Sequence, residues 1–542
     1  MAGIPWTPVY IAFAAYAYLK ATWQTFFYLS ALATISRIVY RVFLYPEFLT
    51  PLKQIPSPSG RSWLRGNSST LILRHDWKRL AKWVEEIPND GLIRYYMTGN
   101  LERLIVTSPK GLSEILVTKV YDFEKPALVR ESLGRLTGQK GVLLVEGAEH
   151  KASHQRKNLM PAFSYRHIKN LYPIFWSKSI EMVQCIEDDL RARENDSSDN
   201  VIRVATWSSR ATLDIIGLAG MNRDFNSLRD PTNELARQYG RINGAPPSKL
   251  ELGLFLLGLV MGVPTWVHKL PLKRNKYIRE GAEYIRAVAL QMLREAKDLR
   301  DHEQASNAKD GVDIMSVALE SGSFTDEELV DQMMTFLAAG HETTSTALQW
   351  CVYALCKYPD VQTRLREEIR ANLPSISVEN PESVSAEVLD NLPYLHAVCN
   401  EVFRFHPSAP VTIRVANRDT SLVGQSIPKG TLIFLFPAII NHLKELWGSD
   451  ADKFDPERWL GPGMANTGGA TSNYAFLTFL HGPRSCIGQG FAKSELACML
   501  AAFVGRFKFE LENPDAELEL REGATVSPRD GVRVRLTPLE GW

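Results

Sequence analysis

Phe479-Leu480-His481-Gly482-Pro483-Arg484-Ser485-Cys486-Ile487-Gly488 is the stretch from which the rest of the chain is read. Two glycines, Gly482 and Gly488, let the backbone turn tightly and approach a flat ligand closely. A helical pattern begins near Gly488, so Cys486 sits at a helix mouth, where exposed N–H groups and the helix dipole favour a thiolate. A thiolate there can ligate iron and push electron density onto it, which favours O–O cleavage. Arg484, two residues earlier, is placed to neutralise a carboxylate of an iron-bearing ligand, and Phe479 is placed to pack beside the sulfur. With five specified positions at residue frequencies near a twentieth, chance occurrence in this chain is on the order of one in several thousand. The plainer alternative is a buried cysteine in a glycine loop.

Upstream, the clearest helical pattern opens at Thr325-Asp326-Glu327-Glu328, a capping box in which Thr325 accepts from the backbone N–H of Glu328. It continues to Tyr358, where Pro359 stops it. A run of about 33 residues spans roughly 50 Å, enough to cross a domain and wall a central site. Inside it lies Ala339-Gly340-His341-Glu342-Thr343-Thr344. Gly340 is expected to leave space above a ligand, and Thr343 to bond its own helix backbone and widen a groove for water. Glu342 is an acid able to relay protons from solvent, and an acid–alcohol pair suits proton delivery to reacting oxygen. His341 has Leu337 and Ser345 at i±4, neither a strong metal ligand, so it reads as a packing or hydrogen-bonding residue. Farther on, Glu401-Val402-Phe403-Arg404 places opposite charges three apart on one helix face, with an ordinary surface pair as the alternative.

Together these motifs resemble the cytochrome P-450 family, whose signature Phe-x-x-Gly-x-Arg-x-Cys-x-Gly is met at Phe479, Gly482, Arg484, Cys486 and Gly488. The run 339–344 is similar to the family's oxygen-activation motif. In the family the Glu-x-x-Arg pair is completed by the arginine of a Pro-x-Arg segment, here Pro456-Glu457-Arg458. The resemblance therefore implies a buried lock of Glu401, Arg404 and Arg458. It also implies haem b with Cys486 as axial iron ligand, and Arg484, Arg414 and Arg156 as propionate partners. Four residues before Arg156 the family often has Trp or His; this chain has Ala152, with His150 and His154 out of register. Ala339 stands where similar fatty-acid ω-hydroxylases carry a glutamate that esterifies the haem, so non-covalent haem is expected. No Gly-x-Gly-x-x-Gly follows a strand, so electrons are expected from outside. The implied donor is an NADPH–cytochrome reductase on the same membrane, with a b-type cytochrome as a second donor.

The resemblance covers roughly 50–540, and the remaining chain fits it. The 542 residues are 45% hydrophobic and 23% charged, and 62 basic against 61 acidic residues give a net charge of +1, which supplies no electrostatic case for nucleic acid. The cysteines at 185, 351, 356, 399 and 498 lie in apolar helical patterns and read as reduced core residues. From Met1 to Ser36 the only charge is Lys20, so a transmembrane helix is expected, and Arg37 and Arg41 beyond it place the body in the cytosol. A membrane anchor over 1–42, a proline-containing hinge over 43–60 and a catalytic domain over 61–542 follow. The expected fold is mainly α with small β-sheets, on a single-pass endoplasmic-reticulum anchor. The expected activity inserts one oxygen atom from dioxygen into a hydrophobic small molecule, in secondary metabolism of the terpenoid or polyketide kind. By resemblance its pocket comes from 132–144, 336–344, 409–412 and 525–527. Alternatives are a fatty-acid or xenobiotic hydroxylase, a haem-thiolate isomerase or dehydratase, and a non-catalytic haem carrier; an intact acid–alcohol pair counts against the last two.

Overall fold

Helical periodicity becomes helix along most of the chain in the computed structural model, which describes residues 8, 11–13, 15, 16, 23–62, 65–67, 77–152, 155–193, 200–244, 248–261, 264–306, 313–376 and 383–542. Much of the expected span before residue 23, and His154, lie outside the described residues. The protein is mainly α with small sheets, and it divides into two compact units.

The first unit is Met1–Ser132, Pro246–Lys276 and Val411–Ile439. Helix α1 (Trp23–Val39) runs on without a break as a wider π-type helix to Leu49. One stretch, Phe27–Leu49, is long and apolar enough to cross a membrane by length and composition. Phe27, Tyr28, Leu32 and Ile35 are exposed, whereas Val42 and Pro46 are buried. The hinge expected from 43 thus begins as helix: Pro46 sits in the wider turn, which tolerates its missing N–H. Extended backbone appears at Thr50, before a short 3-10 turn at Pro51–Gln54. The unit's sheet has the order β1-β2-β8-β5-β3, formed by β1 (Leu92–Met97), β2 (Leu101–Val106), β3 (Phe123–Glu124), β5 (Thr412–Ala416) and β8 (Leu432–Leu435). Only β2 and β8 run parallel, pairing Leu104 with Ile433 and Ile105 with Phe434. Ile93, Leu104, Ile105, Ile433 and Leu435 are buried, as apolar β-formers on an inner strand must be.

The second unit is Leu133–Ala245, Tyr277–Pro410 and Ile440–Trp542. Its framework is α2 (Tyr172–Arg193), α3 (Val204–Met221), α4 (Asp326–Lys357), α5 (Pro393–Phe405) and α6 (Gln489–Arg506). Three strands, β4 (Val201–Arg203), β12 (Arg533–Pro538) and β9 (Phe507–Leu511), form a small antiparallel sheet. A hairpin pairs β10 (Leu520–Glu522) with β11 (Val526–Pro528). The capping box opens α4 as expected: Glu328 N–H donates to Thr325 Oγ1 at 3.3 Å and Thr325 N–H to Glu328 Oε2 at 2.8 Å. Helix α4 packs along α3 and is fastened to it by Thr212 Oγ1, which donates to the His341 carbonyl at 2.9 Å, and by Ser208 and Ser345 hydroxyls 2.8 Å apart. A long polar-bonded helix in the middle of an apolar core is a rigid support for a site.

Candidate active site

Backbone geometry fixes the cysteine loop. Gly482 has φ +76°, which a glycine adopts without cost, and Leu480 has φ +55°, which a branched side chain rarely adopts. The turn brings Cys486 N–H to the Phe479 carbonyl at 2.8 Å. Gly488 does not share that left-handed backbone. Its φ is −87°, and a Cβ there would meet only Phe163 at 3.8 Å, an ordinary contact. Cys486 is exposed although it is surrounded by protein, which means that its thiol faces an interior space. Burial pushes the thiol up, while the Gly488 N–H and the nearby Arg156 act to lower it. Cys351, Cys399 and Cys498 are buried core thiols pushed up by burial, as their apolar settings imply.

Two arginines converge on this loop. Arg156 donates from Nη1 to the Ser485 carbonyl at 2.8 Å and from Nη2 to Ser485 Oγ at 3.1 Å. Its terminal nitrogens therefore hold the residue before the cysteine, a contact the expected propionate role did not include. Arg484 is buried against an equally buried Glu146, Nη2 to Oε2 at 2.7 Å. Phe479 packs edge-on against Phe403 of α5, with ring centres 5.1 Å apart.

Behind the loop, Glu401, Arg404 and Arg458 are brought together. Arg404 donates to Glu401 through Nε at 2.8 Å and Nη2 at 2.7 Å, and both side chains are fully buried. Arg458 Nε reaches Glu401 at 3.2 Å, and Trp459 Nε1 and the Asp455 N–H also donate to that carboxylate, at 2.9 and 2.8 Å. The remaining Arg404 donors go to the carbonyls of Asn441, Ala451 and Lys453. Asn441 in turn accepts from the Leu477 N–H at 2.8 Å and bonds Thr478 Oγ1 at 2.9 Å. One charged cluster thereby pins the chain that leads into Phe479.

On α4, Leu329–Leu337 and Thr344–Val352 are buried, whereas Ala338, Ala339, Gly340, Glu342 and Thr343 are wholly or partly open. Thr343 Oγ1 donates to the Ala339 carbonyl at 2.8 Å, the expected bond to its own helix. The Glu342 carboxylate accepts from Thr525 Oγ1 at 2.9 Å and lies 3.7 Å from Arg521 Nη2, at the β10–β11 hairpin. At Gly340 a Cβ would stand 3.0 Å from Ile216, so the missing side chain also lets α3 approach closely. His341 Nε2 bonds Ser209 Oγ at 2.8 Å, and burial lowers its pKa to about 4, so it is a neutral packing residue. Arg414 belongs to the first unit, buried on β5 with Nη1 bonded to Thr412 Oγ1 at 2.8 Å.

A cytochrome P-450 family model matches residues 56–534. The chain belongs to the cytochrome P-450 family. It is 56% identical over 508 residues to the cytochrome P-450 monooxygenase sphH of Aspergillus fumigatus, covering 94% of this chain and 92% of that one. It is 40% identical to the cytochrome P-450 monooxygenases FSL4 of Gibberella zeae and FUM15 of Gibberella moniliformis, over 96% and 93% of this chain and 97% and 91% of theirs. The protein is therefore an oxidoreductase of the monooxygenase class. P-450 enzymes bind haem through a cysteine thiolate and draw electrons from NAD(P)H through a reductase.

The residues of this P-450 fit such a group: a thiol open to the interior, a buried guanidinium two residues before it, and Phe163 beside Gly488 of the same loop, its ring packed on Phe336 of α4. Sequence reading missed Glu146, Ser408 and Glu495, and it placed Thr525 in a pocket segment without its bond to Glu342. Ser408 Oγ donates to the Thr343 carbonyl at 2.9 Å. Glu495 on α6 is fully buried beside Thr344, and burial holds its carboxyl well above the usual carboxylate range, so it is neutral. Its signal in the sequence is a single acid in Phe491-Ala492-Lys493-Ser494-Glu495-Leu496-Ala497, on an otherwise apolar helix.

Proposed function

We propose that Cys486 supplies the thiolate for haem and that this P-450 inserts one oxygen atom into a lipophilic fungal natural product of terpenoid or polyketide type. The observation that carries the reading is the opening of the Cys486 thiol, and of the 338–343 stretch of α4, inside one tightly buried unit. Haem bound at Cys486 supplies dioxygen activation and oxygen transfer. The chain's part is to hold the sulfur, orient the substrate and deliver protons. Arg156 and the bond from Cys486 N–H to Phe479 fix the loop, and the Glu401–Arg404–Arg458 lock positions the segment before it. Arg484 and Arg414 are the proposed partners of haem carboxylates, with Glu146 sharing the Arg484 guanidinium.

Thr343 Oγ1 gives its hydrogen to Ala339, which leaves its lone pairs to accept from water in the groove. Glu342 is the acid that passes protons on, and its contacts to Thr525 and the half-exposed Arg521 lead toward solvent. An acid and an alcohol one residue apart favour oxygenation over isomerisation or dehydration of an oxidised substrate. Ala339 supports non-covalent haem and separates this chain from fatty-acid ω-hydroxylases with an esterified glutamate.

The domain reading keeps an anchor over 1–42, a connecting segment over 43–60 that is helical as far as Leu49, and a catalytic body over 61–542. Arg37 and Arg41 after the apolar stretch support a single-pass anchor in the endoplasmic reticulum with the body in the cytosol. The electron donor there is NADPH–cytochrome reductase, with a b-type cytochrome as the second source. Disruption of the gene in its native fungus is expected to remove an oxygenated metabolite and accumulate its less oxidised precursor. An unchanged metabolite profile contradicts the natural-product assignment.

A further inference from the structure

Where the N-terminal helix meets the sheet of the first unit, there is a cavity of about 160 Å³, walled in part by Pro46, Leu52, Leu101 and Leu432, that the oxygenase reading leaves unused. Its lining includes Arg37, Arg41, Arg103, Asn100, Glu102 and Tyr45. Glu102 is already engaged: it accepts from Thr50 Oγ1 at 2.8 and 3.0 Å and lies 3.4 Å from Arg94. Arg103 is only 5% exposed and donates from Nη1 to the Glu102 carbonyl at 2.7 Å, while its Nε has no hydrogen-bond partner. Asn100 is fully buried in the left-handed region, at φ +54°, and gives its amide to the Val42 carbonyl at 2.6 Å. Its Oδ1 has no donor.

A buried guanidinium with an unmet donor is costly, and an oxyanion is the group that matches it. Burial and the like charge of Arg41 hold Arg103 down to about 10, against the opposing influence of Tyr95 and Glu102. The unmet acceptor of Asn100 calls for a hydroxyl in the same ligand. The helix that delivers Arg37 and Arg41 exposes Phe27, Tyr28, Leu32 and Ile35 just before them and buries Val42 and Pro46 just after. Exposed apolar residues continue beyond the arginines at Phe43, Leu44, Phe48 and Leu49, so the cavity lies on the packed side of the helix, beside Pro46, where charge interrupts the apolar run.

We propose that this cavity holds the phosphate of an anionic phospholipid with a hydroxylated headgroup, clamped by Arg37, Arg41 and Arg103. The assignment rests on reading the N-terminal helix as a membrane anchor, which puts the cavity at the level of lipid phosphates.

The test uses full-length protein in detergent, titrated with dihexanoyl-phosphatidylinositol, dihexanoyl-phosphatidylcholine or inorganic phosphate while the thermal unfolding midpoint is followed. Phosphatidylinositol is expected to raise the midpoint saturably and phosphatidylcholine to leave it unchanged. Arg103→Gln and Arg41→Gln are each expected to weaken the response about tenfold. Arg41 is only half-buried, so its variant keeps the fold even if loss of Arg103 does not. No response to phosphatidylinositol overturns the proposal. An equal response to inorganic phosphate overturns the lipid source. Alkaline carbonate extraction of membranes tests the anchor separately. Release of the wild-type protein sinks the anchor and the lipid assignment with it, whereas retention without a phosphatidylinositol response sinks the cavity alone.

Discussion

At Cys486 the sulfur is placed by backbone bonds and a positive-φ turn, so the side chain itself can change without dismantling the loop. Thr343 is similar, because its one visible bond is to its own helix. Thr343→Ala is therefore expected to fold normally, divert electrons into hydrogen peroxide and lower product formation by about 10²-fold. Coupling of NADPH to product checks this, and unchanged coupling removes Thr343 from the proton route. Glu495 makes a different kind of prediction. Its carboxyl is held neutral by burial, so Glu495→Gln, a near-isostere of the neutral acid, should leave stability within about 0.5 kcal/mol of wild type at pH 7. A large loss of thermal stability means that the charged form matters. The turn at Cys486 and the bond of Thr343 to its own helix were legible in the sequence because both are tied to short spacing. The close approach of α3 at Gly340 was hidden, since a missing Cβ shows in sequence but the direction it would have pointed does not. Glu146 and Glu495 were hidden because a lone acid shows neither its burial nor its partner.

Among the elements, α4 was the most legible, because a capping box at one end and a proline after the other bound it. The Glu401–Arg404 spacing on α5 showed that the two could pair, but only the fold shows a carboxylate with five donors around it. Removing one partner strands the other in a dry interior. Arg404→Leu is expected to cost about 3–5 kcal/mol, enough to lower the yield of folded protein sharply. Arg404→Lys, which keeps the charge but not the fork, should recover little of it. Urea unfolding checks both, and a loss below about 1 kcal/mol would reduce the cluster to an ordinary pair. Helix at the start of the expected hinge was not legible, because a π-type helix accommodates Pro46 and runs on to Leu49.

For the whole molecule, buried histidines set the acid limit. Burial holds His341 down to about 4, and burial with His442 and Arg404 nearby holds His406 down to about 3. Both are neutral when folded, while an unfolded histidine takes up a proton near 6.5. Their contribution is thus fully present above about pH 6.5 and is lost as pH falls toward 4, at up to about 1.4 kcal/mol per unit for each. Urea midpoints at pH 7 and pH 5 are expected to show this loss, and His341→Gln should reduce it; an equal loss in the variant contradicts the assignment. Class and architecture were legible because the motifs lie in chain order along one mainly helical pattern. Substrate identity was not, because the pocket segments are apolar stretches drawn from distant parts of the chain. The central claim, a haem thiolate at Cys486, is tested most directly by the carbon-monoxide difference spectrum of reduced, membrane-expressed protein, with Cys486→Ser beside it. The wild type is expected to give the strongly red-shifted Soret band of thiolate ligation and the variant to lose it. An unshifted band in well-folded wild type, or a normal thiolate band in Cys486→Ser, would contradict it.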